Sequence, residues 1–273
     1  MTDDGGFRVM TVRTTDTVRE VLRLQGVTGP VARTLADLVT GTVLVRETMS
    51  PDYRVQGLVH GAERSGVLVA DCHPDGGSRG LVQRRGDGDV RVERGAVLEM
   101  MRVLPRGGVH KGMVAVPDDG GVSSALMAYM QESEQVVSMV AVGAVFDGDT
   151  VRAAGGYLVQ LLPELSEPML AIMTERLKDL PPLDGMLRDE ATTPATLMEE
   201  LLHAMPHTQL ADSELGFQCR CDAVRMMASI AALPRHEVME MVNDGKPLEI
   251  TCDYCLREFR LDPEQLRGLL RSS

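Results

Sequence analysis

Cys219 and Cys221 stand one residue apart, Cys252 and Cys255 stand two apart, and thirty residues separate the pairs. They are four of the five cysteines in the chain. A thiolate is the ligand Zn²⁺ takes in closed structural sites, and it is also the sulfur form that oxidants attack. Each pair is short enough to give two ligands to one ion. The spacing therefore predicts one zinc ion per chain, held tetrahedrally by Cys219, Cys221, Cys252 and Cys255. Two structural disulfides are the competing use. The N-terminus, MTDDGGFRV, has no basic stretch followed by an apolar run, so nothing in it argues for secretion, and the chain reads as cytoplasmic. Cysteine pairs in a reducing compartment are metal or redox groups more often than staples.

Other reactive residues form weaker sets. Cys72-His73 offers only two adjacent ligands in a Pro-Asp-Gly turn context. His203 and His207 are four apart with Pro206 between them, and a role in the linker is the better reading. Ser123, Ser124 and Ser133 belong to no hydrolase motif. Glu132 and Glu134 read as surface carboxylates. Gly155-Gly156 has no following Gly-Lys-Ser/Thr, which a phosphate cradle would need, so these glycines read as bulges or turns. No enzyme constellation and no nucleotide site emerges.

The elements around the cysteines must hold them. Asp222 to Ala232 and Pro234 to Val242 read as helices, and Asn243-Asp244-Gly245 as a turn. Leu248 to Thr251 reads as a strand leading into the second pair, Glu258 to Leu261 as its hairpin partner, and Asp262-Pro263 as the cap of a final helix. The second pair thus sits in a knuckle at a hairpin tip, and the first just before a helix. Residues 217–273 number 57, with two Phe and one Tyr, too little to build a strong core. A four-thiolate zinc site can contribute roughly 10–16 kcal/mol of folding free energy, so losing the metal should unfold this unit.

The rest of the chain, 273 residues in all, suits one sizeable domain before this small one. Apolar residues make up 44%, with no Trp, four Phe and four Tyr, so the eighteen methionines read as core filler. The longest apolar run, Val136 to Phe146, is too short to span a membrane. A net charge of −12 argues against nucleic-acid binding, which needs a basic face. The acidity is local: residues 157–216 carry 3 basic and 11 acidic side chains.

A strand is expected over Phe7 to Thr14, a helix capped by Thr15 over Asp16 to Leu24, and a helix from Val31 to about Val45. Short strands are expected at Tyr53 to His60, Gly66 to Ala70, Gly80 to Gln83, Val90 to Glu93 and Gly112 to Val116. A helix over Val122 to Glu132 precedes a buried strand, Val136 to Phe146, turned by Asp147-Gly148 into Val151 to Leu162. In the acidic stretch, Ser166 should cap a helix striped by Met169, Ile172, Met173 and Leu177, broken at Pro181-Pro182. Thr193-Pro194 should start another, with Leu197, Met198, Leu201, Leu202 and Met205 on one face. Short helices hold only when that face is packed, so both should dock on the preceding domain. Six prolines and the local charge oppose a tight hold. The fold class is α+β: a mixed core over residues 1–162, an acidic helical linker over 163–216 and a zinc-binding unit over 217–273.

Residues 215–262, LGFQCRCDAV…LEITCDYCLREFRLD, resemble the redox module of the 33 kDa chaperonin family, heat shock protein 33. The C-x-C pair followed at this distance by C-x-x-C is that family's signature. Tyr129 to Gln135 (YMQESEQ), residues 153–163 (AAGGYLVQLLP) and Leu180 to Leu183 (LPPL) resemble it too, so the likeness runs along most of the chain, loosely before residue 110. The chain departs at Val137, where proline is frequent, at Asp222, where serine is common, and at Leu256, where a knuckle often has glycine.

The resemblance implies a redox-regulated, ATP-independent holdase chaperone. Oxidation would join Cys219 to Cys221 and Cys252 to Cys255, release zinc, unfold the last unit and the linker, and expose a surface for unfolding client proteins. It also implies a homodimer when oxidised and handover of clients to ATP-dependent refolding chaperones. The other reading is a zinc module that binds one fixed protein or nucleic-acid partner.

Overall fold

The computed structural model describes residues 1–86, 88–118 and 121–271. The chain forms two compact units, Met1–Gln218 and Cys219–Ser273.

The first unit opens with β1 (Phe7–Arg13), α1 (Thr15–Gln25) and α2 (Gly29–Thr48). Gly26 takes the left-handed conformation that ends α1 and donates its N–H to the Leu22 carbonyl. Thr15 does not cap α1. It is the first helical residue, and its hydroxyl accepts from Ala154 N at 3.1 Å, tying the helix start to a strand. α2 carries Pro30 in its first turn, where a missing N–H costs nothing. Every residue from Leu38 to Arg46 of α2 is buried, so this helix is covered all round.

Then come β2 (Arg54–His60), β3 (Gly66–Cys72), β4 (Gly77–Arg84), β5 (Val97–Val103) and β6 (Val109–Ala115). With the two-residue β9 (Gly216–Phe217) they form one sheet in the order β6-β5-β2-β3-β4-β9, antiparallel except for the β4–β9 pair. The expected strand at Val90 to Glu93 is absent. Val90 is buried, but the Arg91 backbone bonds to the Ser65 side chain and to Ala62 N, off the ladder. β5 is a strand without a sequence signal, because its mid-strand Glu99 hides the alternation. Glu99 is paired with His60 at 2.8 Å and Lys111 at 3.2 Å on the two neighbouring strands.

α3 (Val122–Glu132) leads into β7 (Ser138–Asp147) and β8 (Thr150–Leu161), which with β1 make a three-stranded antiparallel sheet ordered β1-β8-β7. Gly155 and Gly156 are neither bulge nor turn. They lie mid-strand in β8, where an added Cβ would stand 2.6 Å from the Val12 carbonyl and 2.3 Å from the Ala141 carbonyl. Glu134 is not a surface carboxylate: it accepts from the Tyr129 hydroxyl and pairs with Arg102 at 3.0 Å, its side chain 14% exposed.

The side-chain period of two sorts the three-stranded sheet. Met10, Val12, Val140, Ala144, Ala154 and Leu158 face the main core with α2 and the larger sheet. Phe7, Val9, Tyr157 and Val159 face the other way. That second face is covered by α4 (Glu167–Asp179), α5 (Leu183–Arg188) and α6 (Pro194–Leu201). Ser166 occupies the N-cap position of α4 without making a side-chain bond, whereas Thr193 and Thr196 form a reciprocal capping box on α6. α5 was not expected from the sequence. At six residues it carries too little periodicity to read, and it is held by Leu187 against Val145 and Ala153.

The second unit contains α7 (Ala223–Ala231), α8 (Arg235–Asn243), the hairpin of β10 (Leu248–Thr251) and β11 (Glu258–Leu261), and α9 (Pro263–Arg271). Its core is small: Val242, Leu261 and Leu266, with Met227, Ile230, Leu248 and Ile250 against them. No helix among the described residues is long and apolar enough to cross a membrane.

Candidate metal centre

All four cysteines of the two pairs converge in the second unit. Their sulfurs lie within 4.8 Å of one another, with Cys219 Sγ 3.7 Å from Cys252 Sγ and Cys221 Sγ 3.3 Å from Cys255 Sγ. A tetrahedron with metal–sulfur distances of about 2.3 Å has sulfur–sulfur edges of about 3.8 Å, so this donor set fits a divalent ion that prefers thiolates. Among the described residues it is the one cluster of His, Cys, Asp and Glu with such convergence.

Local structure explains the placement. Asp222 caps α7, its carboxylate accepting from Arg225 N at 2.8 Å, and so fixes where the backbone turns after Cys221. The second pair lies in the turn between β10 and β11. Cys252 N donates to the Arg257 carbonyl at 2.9 Å and Leu256 N to the Cys252 carbonyl at 2.8 Å. These bonds close a knuckle in which Leu256 takes φ +58°, a left-handed conformation that favours glycine.

Cys221 and Cys252 are buried and Cys219 and Cys255 half-buried. Burial and the neighbouring sulfurs push the Cys221 thiol well above its usual range, and burial raises the Cys255 thiol. Four sulfurs this close cannot all ionise unaided, because like charges in a poorly solvated site repel. A bound divalent cation would remove that obstacle, holding the sulfurs as thiolates and tying the α7 start to the β10–β11 knuckle.

The fifth cysteine takes no part. Cys72 is buried on β3, and burial pushes its thiol up to about 11, which leaves it protonated and unreactive. His73 approaches Asp71 at 3.6 Å. Burial alone would raise the Asp71 carboxyl, but His73, Arg54 and Arg79 hold it well below the usual carboxylate range. His207 sits with Nδ1 3.0 Å from the Met205 carbonyl in the turn after α6. Ser123 accepts from Val142 N at 3.0 Å, a packing role between α3 and β7.

Comparison with known proteins agrees along the whole chain. The family model described as "Hsp33 protein" matches residues 1–262. A 33 kDa chaperonin of Syntrophotalea carbinolica is 29% identical, with 98% of this chain and 96% of that protein aligned. The 33 kDa chaperonin of Bacillus subtilis is 27% identical over 97% of this chain and 94% of its own length. The crystal structure of the 33 kDa chaperonin (heat shock protein 33 homologue) of Thermotoga maritima superposes with a TM-score of 0.82, covering 98% of this chain and 95% of that one. At 21% identity, that likeness speaks to the fold. With a family match spanning almost its full length and a four-cysteine cluster at its C-terminal end, the chain belongs to the Hsp33 family of chaperones.

Proposed function

We propose that this protein is a redox-switched holdase of the cytoplasm, zinc-bound and idle when reduced, with no enzymatic activity and no use of ATP. The observation that carries the reading is the second face of the β1-β8-β7 sheet. Phe7, Val9, Tyr157 and Val159 are buried there under α4–α6, and those helices bury few residues of their own: Met173 on α4, Leu187 on α5, Leu197 and Leu201 on α6. An apolar sheet face under a thin acidic cover can be uncovered at modest cost. Uncovered, it would bind the exposed apolar surface of an unfolding client.

The working units are the core over residues 1–162, the linker over 163–216 and the redox unit over 217–273. Cys219, Cys221, Cys252 and Cys255 hold Zn²⁺, which keeps their sulfurs as thiolates. Peroxide oxidises one thiolate of a pair to a sulfenic acid and is itself reduced to water. The neighbouring thiolate displaces a second water, leaving a Cys219–Cys221 or Cys252–Cys255 disulfide. Forming each disulfide takes two electrons from the thiolate pair and consumes one peroxide and two protons. Sulfurs joined in disulfides are poor ligands, the metal is lost, and a unit with so small a core unfolds. The C-x-C bridge closes a very tight ring and is readily reduced, which makes the change reversible. On this reading the oxidised protein dimerises and later yields clients to ATP-dependent refolding chaperones. The net charge of −12 disfavours nucleic acid as a partner, and no helix among the described residues is long and apolar enough to cross a membrane.

The deciding experiment follows zinc and aggregation together. Reduced protein is assayed for zinc per chain and treated with peroxide at a mildly raised temperature. A heat-aggregating client is then tested before and after. One zinc released in step with anti-aggregation activity, both reversed by a thiol reductant, is the expected result. Zinc release without activity would make the cysteine unit a structural or fixed-partner module and sink the holdase reading.

A further inference from the structure

The chain between the linker helices and the first metal ligand ends on the larger sheet. β9 is only two residues long, pairing in parallel with Gly77–Ser78 of β4. Gln218 N donates to the Ser78 carbonyl at 3.0 Å, and Gly216 N reaches the Gly76 carbonyl at 3.4 Å. Phe217 packs against the main core. Gly76 takes φ +81°, and a Cβ there would stand 1.9 Å from the Glu214 carbonyl oxygen. The 214–218 strap therefore crosses the β3–β4 turn at a distance only glycine admits.

The two partners differ in how firmly they are built. The receiving turn is fixed from beneath: buried Arg46 donates to the Pro74 and Pro51 carbonyls at 2.6 Å each. On the strands behind it, the fully buried Asp71 is gripped by Arg54 at 2.6 and 2.9 Å and by Arg79 at 3.0 Å. The arriving strap has little of this. Thr208 is tied to Met1 and Asp3, each at 2.9 Å, but every residue from Gln209 to Glu214 is exposed. Cys219, the first of the clustered cysteines, follows Gln218 directly.

We propose that β9 is an autoinhibitory latch: its pairing with β4 holds the end of the linker in place while the four-cysteine centre is intact, and its release is the step by which loss of that centre frees α4–α6. The inference rests on the redox-switch reading above. The physical basis is ordering entropy. With Cys219 and Cys221 fixed in the centre, the backbone just before them has fewer conformations to lose when it pairs. Once those cysteines no longer converge, the full ordering cost falls on two residues of strand.

Two substitutions move the latch in opposite directions. Gly76→Ala places a methyl group against the Glu214 carbonyl in a left-handed backbone and should detach β9. Gly216 has open space around its Cβ position and no left-handed backbone, so Gly216→Val should strengthen the strand. In reduced, zinc-loaded full-length protein, Gly76→Ala is expected to speed amide exchange at residues 216–218 by about tenfold. It should hold a heat-aggregating client without peroxide, at unchanged zinc per chain. Gly216→Val is expected to slow that exchange and lengthen the half-time of peroxide activation severalfold. If exchange at 216–218 responds as expected while client holding and activation time stay at wild-type values, the latch is wrong and the redox reading stands. If wild-type protein gains no activity with peroxide, both fall. Should circular dichroism show Gly76→Ala to be misfolded, the exchange and activation times of Gly216→Val decide alone.

Discussion

Helix α2 and helices α4–α6 cover opposite faces of the same three strands, in different ways. α2 is one twenty-residue helix with an unbroken buried run from Leu38 to Arg46, and it packs against both sheets at once. The linker uses three helices of thirteen, six and eight residues, each with one or two buried side chains. Arg13 on β1 donates to the Thr192 carbonyl and Thr11 to the Pro194 carbonyl, so part of the linker's hold is polar and exchangeable with water. One sheet face is met by a long helix that is buried on every side over that run. The opposite face is met by short helices that cannot persist alone.

The largest effect should come from the second unit. Cys221→Ser leaves three thiolates and should abolish stable metal binding, forfeiting a contribution on the order of 10–16 kcal/mol to that unit. Zinc analysis with hydrogen exchange should then find α7–α9 and the β10–β11 hairpin unprotected while the two sheets of the first unit stay protected. Loss of protection in the β2–β5 pairing as well would mean that the units do not unfold separately.

A matched pair tests the two coverings directly. Leu44→Ala beneath α2 and Leu201→Ala beneath α6 each delete the same buried atoms, for about 2–5 kcal/mol. Urea unfolding should lose most of that amount globally with Leu44→Ala. With Leu201→Ala the global midpoint should move less, while less peroxide suffices for activation. Equal global losses would show the linker to be an integral part of the core.

Asp37 on α2 feels the charge of Asp184 on α5. Burial, and then the Asp184 carboxylate, push Asp37 up to about 7, against the opposing pull of Arg33. A carboxyl raised in the folded state binds its proton more tightly there than in the unfolded chain. Its contribution is complete below about pH 4 and is lost as pH rises to about 7. Urea titrations of wild type and Asp37→Asn across that window should show the variant with the flatter profile. An unchanged profile would place the titrating group elsewhere.

The smallest effect is local. Leu256→Gly relieves a left-handed leucine in the knuckle and should stabilise the metal-bound second unit by about 1 kcal/mol, read as slower zinc loss to a competing chelator. Faster loss would mean that the leucine side chain, 52% exposed, supports the turn in a way its φ does not reveal.

Much of this was legible from residues alone. The helix over Val122 to Glu132 agrees with the reading to the residue, because its apolar spacing and the Gly120-Gly121 pair before it leave little choice. The hairpin around the second cysteine pair agrees likewise, since strand, turn and strand are each spelled out within fourteen residues, Leu248 to Leu261. β5 was not legible, because Glu99 looks misplaced in a strand until His60 and Lys111 come beside it from 39 residues upstream and 12 downstream. Nor was β9, because two residues hold no period and its pairing partner lies far back in the chain, at Gly77–Ser78.

The sequence by itself determined that four thiols sit close enough in pairs to share one ion, that the acidic stretch would form short amphipathic helices, and that no nucleotide motif accompanies them. These are properties of spacing and composition, and they hold whatever the fold. Only the tertiary structure decided that all four sulfurs reach one point, that the linker's apolar stripes rest on the back of the β1-β8-β7 sheet, and that Gly76 admits the strap leading to Cys219. Those are distances between residues remote in sequence. They arise from the joint packing of the elements, which no local pattern encodes.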